Sequence, residues 1–395
     1  MEQVVARYYV ESALPTREAA RKICEECSTG TWTGVTTTTK GVEEKYAAKI
    51  IDARDNIATI GIPMDDFERG NVAQFLSVVA GNVFGLKEIK NLRLLDIDLP
   101  GELVKNFKGP HFGIDGIRDI TGVKTGPLIG TIVKPKIGLE PVEYSKVVYE
   151  AAMGGVNLVK MDETLTDQSF CRLEENVSWV MDVLDKVKHA TGRKVLFAVN
   201  VTTRLDELVE RAEKVIELGA NCLMIDIVCS GLSSIQILRD ANLGVPIYCH
   251  RAGHAAFTRS SKHGIRWQVY CKLARLLGAD VVHCGTIVGK MHGEEKEVLE
   301  DYDALRNDWF FFNPTMPAAS GGLHPALVKD VTEHLGSDVI MNFGGGIHGH
   351  PNGTRAGATA VAQALDAAKQ NISLKEYAKS HEELRIALEK WKNES

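Results

Sequence analysis

Short apolar runs, each followed by a helical stretch, recur along the last two thirds of the chain. They fall at 128–133, 156–159, 195–199, 222–227, 246–248, 281–282, 317–319 and 339–343. Amphipathic helices are predicted between them, for example over 141–153, 204–218 and 267–277. Runs too short for helices and too uniformly apolar to alternate read as strands buried on both faces, and strands alternating with helices make a parallel sheet. Eight such units favour a closed (β/α)8 barrel over an open sheet. Nearly every run ends, on its C-terminal side, in a charged residue, His, Ser or Gly, and that is the end at which a barrel carries its active site.

The first hundred residues have another texture. Residues 4–10 read as a strand and 15–27 as a helix opened by a proline. A β-like run over 57–62 leads to a helix over 71–82. The expected architecture is α/β: a small N-terminal α+β domain over 1–109, then a catalytic barrel over 110–395.

Composition narrows the class of function. Apolar residues make up 44%, and 46 Lys and Arg against 52 Asp and Glu give a net charge of −6. That balance argues against a nucleic-acid binder, so any anionic ligand must be held by a local group of donors. No apolar run approaches the roughly 20 residues that cross a bilayer, and the first residues do not read as a secretory signal. The eight cysteines are scattered, as expected of reduced thiols in a cytoplasmic enzyme. Cys24 and Cys27 form one C-x-x-C pair without a second, a weak signal for zinc or redox chemistry.

Six segments carry candidate chemistry. In Leu158-Val159-Lys160-Met161-Asp162-Glu163, Lys160 and Asp162 share a strand face and Glu163 follows at the tip. Paired carboxylates suit Mg²⁺. The lysine beside them is either a salt-bridge partner or an amine that captures CO₂ as a carbamate and becomes a third oxygen ligand. In Gly130-Thr131-Ile132-Val133-Lys134-Pro135-Lys136, two cations on one strand end suit proton transfer or an anion; a solvated basic tip is the alternative. His250 and Arg251 end another run, offering a proton shuttle and a planar fork for phosphate, or a structural pair. His283 ends the next and leads into a loop where glycines flank Lys290, a mobile lid or an ordinary flexible loop. Finally, Ser320-Gly321-Gly322 and Gly344-Gly345-Gly346 close the last two runs with exposed backbone N–H groups suited to phosphate. Two such runs opposite Lys134 and Arg251 suggest a substrate with two phosphate ends.

Taken together these segments resemble the large chain of ribulose-1,5-bisphosphate carboxylase/oxygenase (Rubisco). The matching stretches are ECSTGTW from Glu26, GNVFG from Gly81, GTIVKPKIGL from Gly130 and GGVNLVKMDE from Gly154. HRA from His250, HCGTIVGK from His283, SGG from Ser320 and FGGG from Phe343 continue them in order over almost the whole chain. The resemblance implies Mg²⁺-dependent carboxylation and oxygenation of ribulose 1,5-bisphosphate through an enediolate, with CO₂ or O₂ as second substrate and 3-phosphoglycerate as the carboxylation product. Lys160 would be carbamylated and, with Asp162 and Glu163, would hold the metal. Lys134 would move protons at the substrate carbons, supported by Lys136 and His250, and Lys290 would cap the CO₂. One phosphate would meet Thr31, Trp32, Lys290, Gly322, Gly344 and Gly345; the other would meet Arg251, His283 and Ser320. Thr131 and Gly321 join the substrate contacts. Glu26, Thr31, Trp32 and Asn82 would complete a neighbouring subunit's site, so the smallest working unit would be a homodimer, without a small subunit.

The sequence departs from many relatives at Met161, Thr164, Gly253 and Asn342, in a shortened segment between Ser320 and Gly344, and in a short C-terminal tail. These features suggest an archaeal-type, form III or III-like enzyme. The competing reading is a Rubisco-like enolase or isomerase of a methylthio-sugar phosphate. Such relatives tend to lose the residues matching Lys290, Thr31, Trp32 or Asn82, all present here.

Overall fold

The computed structural model describes residues 2–30, 35–288 and 295–392. They divide into two compact units. One comprises Met1–Lys108 with Gly253–Leu277, the other Gly109–Ala252 with Gly278–Ser395.

The first unit is built on a five-stranded sheet. Its strands are β1 (Gln3–Ser12), β2 (Lys49–Arg54), β3 (Ile57–Pro63) and β4 (Ile89–Asp98), in the order β4-β1-β3-β2. All pair antiparallel, Tyr8 lying opposite Ala58 on one side and Leu94 on the other. In β1, Val4, Ala6, Tyr8 and Val10 alternate inward, a period of two that buries one face. The helix Thr16–Cys27 adds Ala19, Ala20 and Ile23 to the core at spacings of one turn. A fifth, two-residue strand, β10 (Gly264–Ile265), pairs in parallel with β4. That pairing draws 253–277 into this unit. The helix Trp267–Leu277, expected among the barrel helices, packs here against β4 and is buried on several sides. Three strands of this unit went unpredicted, the two-residue β10 among them. In β2 the residues are at most half-buried and the apolar alternation is broken, while β4 mixes Lys, Arg and Asp into its apolar row.

The second unit closes eight parallel strands into a barrel: β5 (Leu128–Ile132), β6 (Leu158–Lys160), β7 (Leu196–Asn200), β8 (Cys222–Asp226), β9 (Ile247–His250), β11 (Val281–Cys284), β12 (Met316–Ser320) and β13 (Ile340–Phe343). Each of the eight apolar runs overlaps one, and five of the strands extend past the end of their run. The interior holds Leu128, Leu158, Leu196, Ala198, Cys222, Met224, Tyr248, Val281, Met316, Ala318 and Ile340 in one cluster. Ile114 and Ile117, on the helix Gly113–Thr121, join it. A packed apolar interior leaves only the strand ends for chemistry.

Two residues beyond this cluster, toward the C-terminal ends, the strands turn the same face inward again. The residues there are Gly130, Lys160, Asn200, Asp226, His250, His283, Ser320 and Asn342. Strand pairing sets Asp226 against His250, Ser320 against Asn342 and Asn342 against Gly130. Gly130 is required sterically, since a Cβ there would meet Ile340 Cγ2 at 2.8 Å and Asn342 Oδ1 at 3.2 Å. One layer of the barrel thus changes from apolar to polar on seven of eight strands.

Candidate active site

Lys160 ends β6 with 1% of its surface exposed. Its Nζ donates to Met161 O at 2.9 Å and to Glu163 Oε2 at 3.3 Å, and lies 3.9 Å from Met224 Sδ. Burial pushes the amine below the ordinary lysine range, against the opposing pull of Glu163, Asp162 and Asp226. Asp162, in the turn after the strand, is as deeply buried. Its Oδ1 accepts from Thr164 N at 3.1 Å and Thr164 Oγ1 at 2.8 Å, and Lys134 Nζ donates to Oδ2 at 3.2 Å. Burial works against this carboxylate, but those donors hold it below the usual range. Glu163 is also held low, its desolvation outweighed by Lys160 and then His250.

His250 and Asp226 form a second buried pair. Asp226 Oδ1 is 2.7 Å from His250 Nδ1, close enough to share a proton, and His250 Nε2 faces Glu163 Oε2 at 3.7 Å. Burial, reinforced by Lys160, lowers the imidazole to about 3, so it stands neutral at physiological pH. Burial lifts the Asp226 carboxyl to about 6, an effect partly offset by Lys160. The His283 ring lies 4.6 Å from that of His250, and its Nε2 is 2.9 Å from Ser320 Oγ. Arg251 lies along the start of the following loop, where a Cβ on Gly285 would meet its Nη2 at 3.3 Å.

The two glycine segments lie together at the same end. A Cβ on Gly346 would come within 2.1 Å of Leu323 O, so only glycine lets the backbones approach this closely. Gly321 and Gly322 take positive φ, +123° and +78°. A Cβ on Gly344 would stand 3.4 Å from Lys134 Cε, which sets this backbone beside that lysine. Gly345 begins the short helix Gly345–His348.

The expected residues therefore divide. Lys134, Lys160, Asp162, Glu163, Arg251, His250, His283, Ser320, Gly321, Gly322, Gly344 and Gly345 are all carried at the C-terminal ends of the barrel strands. Lys134 and Lys136 do not share a strand face, because β5 stops at Ile132; Lys134 turns to Asp162 while Lys136 is exposed. The Thr131 hydroxyl is fully buried and donates to Phe343 O at 2.7 Å. Glu26 and Asn82 belong to the first unit. Thr31, Trp32 and Lys290 lie outside the described residues. Sequence reasoning missed Asp226 and Asn200. Each was visible as a lone polar side chain in or just after an apolar run, at the period that faces inward.

The residues fit a hard divalent cation only with help. Among the described residues no three His, Cys, Asp or Glu side chains gather as a metal site. Asp162 and Glu163 supply carboxylate oxygens, and a third protein donor beside them would have to come from Lys160, whose ammonium form would instead repel a cation. Cys24 and Cys27 do not compete for that role. They are buried, with thiols pushed up to about 12, which keeps them protonated and unreactive.

Comparison with known proteins gives a consistent result. Residues 113–391 match the family described as ribulose bisphosphate carboxylase large chain, catalytic domain, and residues 1–103 match the corresponding N-terminal domain. A ribulose bisphosphate carboxylase of Methanosarcina mazei is 42% identical, over 98% of this chain and 96% of its own length. One from Methanocaldococcus jannaschii is 43% identical, over 94% and 93%. Among solved structures, the octameric Rubisco of Pyrococcus horikoshii OT3 in complex with sulfate superposes with a TM-score of 0.95 at 41% identity, covering 100% of this chain and 94% of that one. The dimeric archaeal Rubisco of Hyperthermus butylicus gives 0.91 at 38% identity, over 99% and 96%.

Proposed function

Because the chain belongs to the ribulose bisphosphate carboxylase large-chain family, and is an enzyme of that family, we propose that it carboxylates and oxygenates ribulose 1,5-bisphosphate after Lys160 is carbamylated. The observation that carries this reading is the fully buried Lys160 amine facing Glu163 at 3.3 Å, beside Asp162. Desolvation favours the neutral amine, whose lone pair attacks CO₂: an N–C bond forms as one C=O π bond opens to a carboxylate, the surplus proton on nitrogen passes by way of Glu163 to solvent, and an anion replaces the ammonium. The change of sign at this atom turns a site that repels a cation into one with three oxygen-bearing ligands, the Lys160 carbamate, Asp162 and Glu163. Mg²⁺, which the Lys160 carbamate, Asp162 and Glu163 would hold, would supply the positive charge that makes the carbon beside a ketone more acidic.

The chain's own residues do the rest. Lys134, tethered to Asp162, exchanges protons with the substrate carbons, supported by Lys136 and the neutral His250. Arg251, His283 and Ser320 hold one phosphate. Gly322, Gly344 and Gly345 hold the other through backbone N–H groups, with Thr31, Trp32 and Lys290. Lys290 acts on CO₂ after the enediolate forms. Glu26, Thr31, Trp32 and Asn82, in the N-terminal domain, complete the site of a partner copy; the dimeric and octameric assemblies of the related structures support that reading. No helix of the described residues is long and apolar enough to cross a membrane.

Incubation with ¹⁴CO₂, ribulose 1,5-bisphosphate and Mg²⁺ should yield acid-stable label in 3-phosphoglycerate, dependent on all three. Turnover of a sugar phosphate without fixation of label would instead support an enolase or isomerase.

A further inference from the structure

Asn200, at the end of β7, is fully buried and uses its side chain in both directions. Its Nδ2 lies 3.2 Å from Asp162 O, 3.2 Å from Glu163 O and 3.0 Å from Leu165 O, three carbonyls of the turn that bears the two carboxylates. Its Oδ1 accepts from Thr202 N at 3.1 Å and from Thr202 Oγ1 at 2.6 Å. The Thr202 hydroxyl has then given up its hydrogen, and its oxygen accepts from Asp226 N at 3.0 Å. The backbone N–H of Asn200 points to Met161 Sδ at 3.4 Å, which gives this departure from many relatives a place in the same network. One amide and one hydroxyl therefore connect the carboxylate turn after β6 to the end of β8, where Asp226 meets His250.

We infer that Asn200, with Thr202, is a positioning residue that fixes the separation between the Asp162–Glu163 turn and the Asp226–His250 pair, and so sets how tightly a divalent cation is held. Both side chains are engaged by protein partners and act through them. The turn has no regular secondary structure, and a buried amide bridging its carbonyls at 162, 163 and 165 restrains it as a strand ladder would. This inference rests on the metal role proposed above for Asp162 and Glu163.

The test is Mn²⁺ binding to the full-length protein in CO₂-equilibrated buffer, with free Mn²⁺ counted by electron paramagnetic resonance and no substrate present. Asn200→Ala should weaken Mn²⁺ binding about tenfold or more, as removal of outer partners of a metal site does. Should Asn200→Ala not fold, Thr202→Val keeps the shape but removes the hydroxyl, and should weaken binding several-fold; Thr202→Ser should restore it. Melting temperatures of the Thr202 variants report the fold separately. Wild-type affinity in folded Asn200→Ala, or in Thr202→Val, overturns the inference. If the wild type itself binds no Mn²⁺, or binds it equally well after Glu163→Gln, the metal role of the carboxylates fails first and the inference falls with it.

Discussion

At the N-terminal end of the barrel Asp280 is 1% exposed, and at the C-terminal end so is Lys160, yet the two buried charges are satisfied in different ways. Asp280 accepts from the backbone N–H groups of Phe112 at 2.6 Å, Gly113 at 2.9 Å and Ile247 at 2.9 Å. Arg118, near the same end, donates to the carbonyls of Val123, Gly126 and Ser337 and to Asp338. Apart from the Asp338 carboxylate, these partners are main chain, fixed by the fold, and they leave the charge little to exchange. Lys160 has one carbonyl, and otherwise a carboxylate and a thioether. Its neighbours Asp162, Glu163, Asp226 and His250 are themselves ionisable, so protons and charges can be redistributed among them without breaking the strands. The contrast explains how one barrel can be rigid at one end and reactive at the other.

Exchanging the two kinds of charge should produce opposite failures. Lys160→Ala should abolish carboxylation at a smaller cost in melting temperature than Asp280→Ala, because relief of an amine that burial disfavours offsets part of the loss of its pairing with Glu163. A large drop in melting temperature would show that Lys160 is structural, like Asp280. Asp280→Ala should do the reverse. Three buried N–H groups lose their acceptor, at a cost of about 3 kcal/mol or more in denaturant titrations, while kcat/KM per folded molecule stays near wild type. Loss of activity without loss of stability would erase the distinction between the ends. Arg118→Met should cost less, roughly 2 kcal/mol, since its carboxylate partner is nearly half exposed and can turn to water.

The smallest effect is in acid. His348 Nε2 lies 3.1 Å from Thr131 Oγ1 and Nδ1 lies 3.0 Å from Thr354 Oγ1, and burial lowers this imidazole to about 4. The unfolded chain takes up a proton near pH 6.5 and the folded one only near 4. Its contribution to stability is therefore complete above about pH 6.5 and is lost as pH falls toward 4. His348→Gln, which keeps a donor toward Thr131, should flatten the stability profile in that window. An unchanged slope would mean that other groups govern acid sensitivity.

Much of this contrast was legible in the sequence. The eight barrel runs were readable because each is apolar on both faces, and the polar residue at the end of a run marks where the interior stops. Lys160, Asp162 and Glu163 stood out for that reason. Asp226 did not, because it sits within its run and is followed by Ile227, so the eye reads through it. Asn200 and Thr202 carry no charge, and their importance lies in partners that no sequence pattern displays: three carbonyls for Asn200, the Asn200 amide oxygen and the Asp226 N–H for Thr202. The bottom-end partners were illegible for a related reason: Asp280 and Arg118 look like surface residues until the fold brings backbone N–H and C=O groups to them. Trp267–Leu277 was read as a barrel helix because only a two-residue strand, Gly264–Ile265, assigns it to the other unit.

The central claim is that the buried Lys160 amine becomes a carbamate. Protein equilibrated with ¹³CO₂ and Mg²⁺, without substrate, should develop a carbamate carbon resonance that is absent in Lys160→Ala, and initial activity should rise in parallel with its intensity. The same resonance in Lys160→Ala, or full activity in CO₂-depleted buffer without preincubation and without that resonance, would contradict it.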